Sequence, residues 1–165
     1  MKEINNPWHN HPDHFCIGCD PRNPFSLNMT FFEDGDDVVC NWTPRPEFQG
    51  WINVLHGGIQ SLMIDETAAW VVTRFGHATG VTSKLECQYK KAININDGPI
   101  TVRARIKKQM RRIFIIDAEI TNSQGEVCTI GQATYYTYSD KQTQGLAKFG
   151  HSNEKGQQQG KEDAL

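Results

Sequence analysis

Asp65 and Glu66 stand side by side in an otherwise apolar run, Val54-Leu-His-Gly-Gly-Ile-Gln-Ser-Leu-Met-Ile-Asp-Glu-Thr-Ala-Ala-Trp-Val-Val, which opens on the triplet His56-Gly57-Gly58. Carboxylates are almost never fully buried without a partner or a purpose. An ionised carboxylate close to a reacting carbon can serve as general base or nucleophile. Gly57 and Gly58 fall where the first N–H groups of a helix have no partner within it. Those donors, with the positive end of the helix dipole, can hold an oxyanion. Glycine at both positions also leaves a substrate free to approach the N–H groups. A carboxylate and an oxyanion site on one helix suggest catalysis. His56 is an acid or base by type, but its place beside the turn favours support of the entry loop, since a catalytic His must reach the chemistry.

The element that must position these groups is one long helix ending near Gly76. At about 100° per residue, Ile59, Leu62, Met63, Ala69 and Trp70 share a broad stripe, and Ile64, Ala68, Val71 and Val72 fill much of the rest. A helix apolar nearly all round belongs in a core. Ahead of it, residues 1–24 are polar and broken by Pro7, Pro12, Pro21 and Pro24. Leu27 to Glu33 alternates as a strand. Asp34-Gly-Asp-Asp makes a turn, and Val38 to Thr43 is its hairpin partner. Pro44, Pro46 and Gly50 mark the loop into the helix. Four strand-like runs follow: Val81 to Lys91, Ile100 to Gln109, Arg112 to Thr121 and Glu126 to Tyr138. Asn122-Ser-Gln-Gly links the last two as a tight turn. An antiparallel sheet wrapped around a single helix satisfies this order, an α+β fold. The expected organisation is an irregular segment over 1–24, one domain over 25–138 and an unstructured tail over 139–165, rich in Gln, Gly and Lys.

With 165 residues the chain has room for one sizeable core. A formal net charge of −2 provides no general basic field, so nucleic acid is not the expected partner. The sequence shows no leader pattern and no run near the roughly 20 apolar residues of a membrane span, so a soluble, cytoplasmic protein is expected. Cys16, Cys19, Cys40, Cys87 and Cys128 form an odd, scattered set, which fits free thiols. His9, His11, His14, Cys16 and Cys19 are metal ligands by type. A single Cys-x-x-Cys without a second pair falls short of a zinc ligand set, so no metal is expected.

His56-Gly57-Gly58 with Asp65 nine positions after the His, then a helix and four strands, resembles the hotdog-fold acyl-CoA thioesterases, in particular the phenylacetate-pathway and 4-hydroxybenzoyl-CoA branches. His14-Phe-Cys-Ile-Gly-Cys-Asp-Pro-Arg-Asn-Pro-Phe-Ser-Leu resembles the start of a subgroup with a Cys-rich N-terminal stretch, and Thr82-Ser-Lys-Leu-Glu-Cys-Gln-Tyr resembles the family's first strand after the helix. The resemblance spans roughly residues 14–138. It implies hydrolysis of an acyl-CoA thioester with Asp65 as base or nucleophile, no cofactor beyond the CoA of the substrate, and a homodimer that can pair into a homotetramer. It also implies a hydroxyl beside the acid, from Thr82 or Ser83. Some relatives carry an Asn six residues before the His where this chain has Gly50, with Gln49 or Asn53 as substitutes.

Gly58 precedes Asp65 by seven residues, about 10 Å along a helix axis. An oxyanion donor must lie about 3 Å from the developing charge. One chain therefore cannot bring both to one carbonyl, whereas two antiparallel helices about a two-fold axis can. Glu66 points about 100° away from Asp65 and is expected to line the pocket. Arg111 and Arg112, at a turn near Lys107 and Lys108, are candidates for the CoA phosphates. Phe48, Trp51 and Trp70 are aromatic candidates for an acyl pocket or for plain packing. Two rival readings remain: a hotdog hydratase or dehydratase, which needs a His–acid pair, and a non-catalytic acyl-CoA binding dimer.

Overall fold

The computed structural model describes residues 1–139. The helix forms where the apolar run predicts it. Helix α1 spans Gly57–Gly76, with no Pro or Gly between its first and last turns. His56 caps its start, the ring Nδ1 accepting from Gly58 N–H at 2.8 Å. His77 ends it in the left-handed region at φ 48°, with its N–H donating to the Val72 carbonyl.

Seven strands form one antiparallel sheet: β1 (Lys2–Glu3), β2 (Phe32–Asp34), β3 (Asp37–Trp42), β4 (Gly80–Tyr89), β5 (Ile100–Met110), β6 (Ile113–Thr121) and β7 (Val127–Thr137). Their order is β1-β2-β3-β5-β6-β7-β4, so the helix carries the chain from β3 to the far edge and β5 returns to pair with β3. Alternation decides which face meets the helix. Val102 and Ala104 of β5, Phe114, Ile116, Ala118 and Ile120 of β6, and Ala133 and Tyr135 of β7 are buried. They meet Met63, Ile64, Ala68, Val71 and Val72 of the helix in one core. This is the expected α+β arrangement, an antiparallel sheet around one helix. At Gly131 the sheet comes so close that an added Cβ would lie 2.8 Å from Ile64. That position cannot carry a side chain without moving the helix away.

The N-terminal third departs from expectation. Residues 1–24 are irregular apart from β1, yet Ile4 and Cys19 belong to the core rather than to a separate segment. Leu27 to Phe31 is buried but not a strand. Asn28 turns left-handed at φ 55°, and Leu27 N–H and Met29 N–H bond to the carbonyls of Ile17 and Gly18. Pairing with β3 therefore begins only at Phe32. This segment lies against the helix: Trp8 and Phe31 pack on Trp70 at ring-centroid distances of 5.6 and 4.9 Å. Among the described residues no helix is long and apolar enough to cross a membrane. The tail expected from residue 139 onward lies, beyond Ser139 itself, outside the described residues.

Strand β4 is the last in the sheet, and its free edge has no strand beside it among the described residues. Most of its residues are exposed, including Val81 and Tyr89.

Phe114 stands opposite Tyr135 in the β6–β7 ladder and is 1% exposed. Phe114→Ala should lower unfolding stability by about 3–5 kcal/mol through the cavity it leaves, read from denaturant or thermal unfolding.

Candidate active site

Asp65 lies midway along α1 and is half-buried. The sheet supplies its partners. Thr82 Oγ1 on β4 donates to Asp65 Oδ1 at 2.7 Å, and Tyr135 OH on β7 reaches the same oxygen at 2.8 Å. Tyr135 OH also lies 2.8 Å from the Asp65 backbone carbonyl. Thr82 and Tyr135 face each other in the β4–β7 ladder, so one rung of the sheet presents both hydroxyls. Just past it the register shifts between Thr82 and Lys84, a bulge that re-aims the strand. Ser83, the residue at the bulge, donates to the Thr134 carbonyl and so turns away from Asp65. Of the two hydroxyls considered from sequence, Thr82 is the one at the acid.

Tyr135 was not among the residues singled out from sequence. It is 3% exposed, and burial, with the charge of Asp65 beside it, pushes its phenol above the ordinary range. It therefore stays a protonated donor. Strand alternation marks Tyr135 as inward-facing, but nothing in its spacing tied it to Asp65.

At the helix start the structure alters one assignment. Gly58 N–H is taken by His56 Nδ1, while Ile59 N–H and Gln60 N–H bond to the His56 carbonyl. Gly57 N–H, ahead of these, has no acceptor among the described residues. His56 thus acts as a cap, and among the described residues no carboxylate is hydrogen-bonded to it. Gln60 ties the entry loop to the sheet, its Nε2 donating to the Leu55 carbonyl and its Oε1 accepting from Thr129 Oγ1. Gln49 Oε1 accepts from Asn53 N–H and is a loop brace. A Cβ at Gly50 would come within 3.0 Å of the His56 ring, so the position faces the cap. Gln49, Gly50, Trp51, Val54, His56 and Gly57 border an open cleft of ≈ 550 Å³.

The remaining candidates scatter. Glu66 does not share the side of Asp65. Its carboxylate accepts from Trp70 Nε1 at 3.1 Å and contacts Cys16 Sγ at 3.4 Å, against the N-terminal segment. Trp70 is buried against Phe31, Phe48 packs on Trp42, and Trp51 is 84% exposed. Arg111 and Arg112 form the β5–β6 turn, Arg111 at φ 51°, and the Arg112 carbonyl accepts from Thr137 N–H. That turn lies at the same end of the sheet as Thr82, two strands across, roughly 10 Å in the hydrogen-bonding direction. A wider groove of ≈ 950 Å³ is lined by Arg103, Arg105, Lys107, Asp117 and Glu119 among others and contains none of the site residues.

The comparisons with known proteins bear on this arrangement. Residues 52–129 match the thioesterase superfamily. A solved thioesterase superfamily protein superposes with a TM-score of 0.68 at 19% identity, over 82% of this chain and 69% of its own. A hypothetical thioesterase protein from Streptococcus pneumoniae, solved with coenzyme A, superposes with a TM-score of 0.63 at 24% identity, over 68% of this chain and 87% of its own. The match covers a little under half of the chain, and the whole described fold is the hotdog arrangement of these solved structures. At these identities the superpositions establish the fold. A Saccharolobus solfataricus protein provisionally named an esterase is 24% identical over 88 residues, 53% of this chain and 57% of that protein. The chain therefore spans little more than half the length of that relative. Within the hotdog fold, Asp65, Thr82 and Tyr135 meet where helix and sheet edge cross, and Gly57 lies two turns away.

Removing the phenol tests whether the sheet holds the acid. Tyr135→Phe keeps the ring packing but withdraws a hydrogen bond to a carboxylate, and should cost about 1.5 kcal/mol of stability. Thr82→Val, at an exposed position, should cost less; equal costs in unfolding measurements would show that burial does not set the strength of this contact.

Proposed function

We propose that the chain hydrolyses acyl-CoA thioesters to the free carboxylic acid and CoA at a site shared by two copies. The observation that carries this reading is the Asp65 carboxylate. Two hydroxyls engage Oδ1, and among the described residues Oδ2 accepts no hydrogen bond. Oδ2 therefore keeps its lone pairs for a substrate or a water. The match of residues 52–129 to the thioesterase superfamily and a coenzyme A-containing structural neighbour support a CoA thioester as substrate.

In the proposed reaction the thioester oxygen accepts from Gly57 N–H at the helix start, where the dipole favours developing negative charge. Asp65 Oδ2 takes a proton from a water that adds to the carbonyl carbon, and that proton passes to the CoA sulfur as the C–S bond breaks. In the alternative route Asp65 attacks that carbon itself, the CoA thiolate leaves, and water then hydrolyses the mixed anhydride at the Asp65 carboxyl, giving the free acid and restoring the carboxylate. Single turnover in isotopically labelled water separates the two routes, because only direct attack leaves label on Asp65. Eight residues separate Gly57 from Asp65, about 12 Å along the axis. The two groups acting on one carbonyl must therefore come from different copies. The free edge of β4, with Val81 48% and Tyr89 52% exposed, suits pairing with the same edge of a second copy about a two-fold axis. In this reading Arg111 and Arg112, at the same end of the sheet as Thr82, meet the CoA phosphates.

Thiol release across a panel of acyl-CoAs provides the test. Asp65→Ala should lower the rate about 10²–10⁴-fold, with the mass in solution remaining that of a dimer. Uptake of acyl-CoA without thiol release in either protein would replace this reading with a binding protein. Turnover of 3-hydroxyacyl or enoyl substrates would replace it with a hydratase, and an active monomer would overturn the shared site.

A further inference from the structure

The N-terminal Cys-x-x-Cys plays no part in the proposed hydrolysis, yet the fold gathers chemistry around it. One ligand atom each from His14, Cys16 and Cys19 lies within 4.8 Å of the other two. Cys19 is buried, and His14 and Cys16 are half-buried, in the seam between the N-terminal segment and α1. Both cysteines are free thiols. The spacing Cys16-x-x-Cys19 was a weak signal by itself, because two ligands do not make a site. His14 raises that count to three, and Glu66 of the helix, 3.4 Å from Cys16 Sγ, stands next to the group.

Three surrounding features match what a metal site requires beyond its ligands. First, N–H groups point at the sulfurs: Gly18 N–H lies 3.2 Å from Cys16 Sγ, and Asn6 Nδ2 lies 3.8 Å from Cys19 Sγ. Donors of this kind favour the thiolate, the form that binds metal. Second, His14 Nδ1 lies 3.0 Å from Asp20 Oδ2, whose side chain is fully buried. Asp20 is clamped in turn by Arg22 Nη2 at 2.7 Å and Arg22 Nε at 3.1 Å. His14 Nδ1 is buried and makes no hydrogen bond there, so Asp20 stands as a charge beside the ring, and the imidazole keeps a lone pair for a metal. Third, both oxygens of Glu66 lie 3.4 Å from Cys16 Sγ, while a Cβ at Gly18 would meet that carboxylate at 2.5–2.7 Å. Gly18 is thus the residue that lets the helix carboxylate reach the cysteine loop.

A metal binding here would displace the thiol protons, and its charge would offset that of two thiolates and the carboxylate. Arg22 is engaged with Asp20, and among the described residues no Lys or Arg pairs with Glu66. A set of two sulfurs, an imidazole and one carboxylate is too soft for Mg²⁺ or Ca²⁺ and suits tetrahedral Zn²⁺.

We propose that His14, Cys16 and Cys19, with Glu66 of α1 as fourth ligand, bind a zinc ion that fastens the N-terminal segment to the central helix. Three ligands come from a stretch with almost no regular secondary structure. The fourth sits one residue from Asp65, so the ion braces the helix at the candidate acid without touching the reaction. The proposal is independent of the hydrolysis reading, since its test is metal content.

The full-length chain is purified under reducing conditions and its zinc measured by elemental analysis. About one zinc per chain is expected for a closed four-ligand site. Removing the metal with a chelator and titrating the reduced chain with Co²⁺ should then bring up the thiolate-to-cobalt charge-transfer band and the ligand-field bands of a tetrahedral site. Cys16→Ser should abolish the charge-transfer band or weaken it strongly, whereas Cys87→Ser, outside the cluster, should retain it. Asp20→Asn should lower zinc affinity about 10–100-fold, measured by competition with a chromogenic chelator. The wild-type titration requires no variant to fold. Absence of zinc from the purified chain together with no cobalt–thiolate band in the reduced wild type would overturn the proposal. Isolation with Cys16 and Cys19 joined as a disulfide, and no metal binding after reduction, would do the same.

Discussion

A half-buried carboxylate in the middle of an apolar helix is the constraint that the rest of this structure answers to. Its oxygens lose water on folding and need donors in return. The donors come from the sheet, from Thr82 and Tyr135 on a single rung of the β4–β7 ladder, and both go to Oδ1. Helix position and strand register are thereby locked together. A slip of one residue in β7 would turn Tyr135 outward and put exposed Tyr136 in its place. Close packing at Gly131 against Ile64 reinforces the same register, because any other residue of β7 would bring a Cβ into the helix. The geometry of the acid is thus a property of the whole β4–β7–helix layer rather than of its local sequence.

Much of this was legible in the chain, for reasons that can be named. The helix was visible because its apolar residues cover nearly the whole wheel, and the long strands because they alternate. Asp65 stood out as a charge with no place in a core, and Thr82 through the family resemblance. What escaped notice was long-range. Tyr135 lies seventy residues from Asp65 and looks like any strand tyrosine. Leu27 to Phe31 alternates as a strand should, but a left-handed Asn28 diverts its hydrogen bonds to residues 17 and 18. Gly58 was read as the oxyanion donor because the sequence cannot show that the His56 ring reaches round to occupy its N–H. A histidine cap is unusual where Ser, Thr, Asp or Asn are preferred, so cap and donor could not be told apart in advance.

The His56 cap has a consequence for the helix start. Fixing Gly58 N–H internally takes that donor out of use and leaves Gly57 N–H as the next one out. It also pins the ring against Gly50 on the entry loop, whose backbone Gln49 braces from the other side. The donor is therefore presented by a loop with its own hydrogen bonds, held to the sheet through Gln60 and Thr129. Pre-organisation of this kind is what lets a backbone N–H stabilise developing charge without reorganising at the moment of reaction.

The two adjacent carboxylates divide the helix between its neighbours. Consecutive residues point about 100° apart, so Asp65 and Glu66 cannot face the same layer. Asp65 meets the sheet, and Glu66 meets the N-terminal segment through Trp70, Gly18 and Cys16. Neither acid is surrounded by basic side chains. One is satisfied by neutral hydroxyls, the other by an indole and a thiol. Hydroxyls on one oxygen leave the other oxygen of Asp65 open, the condition a base or nucleophile needs. Thiols offer Glu66 only weak donors that can themselves ionise. The contact of Glu66 with Cys16 sets it beside the cysteine loop, whose sulfur and imidazole groups are those that a soft cation would draw into one shell. The same helical turn thus commits one carboxylate to the hydroxyls of the sheet and the other to the cysteine loop.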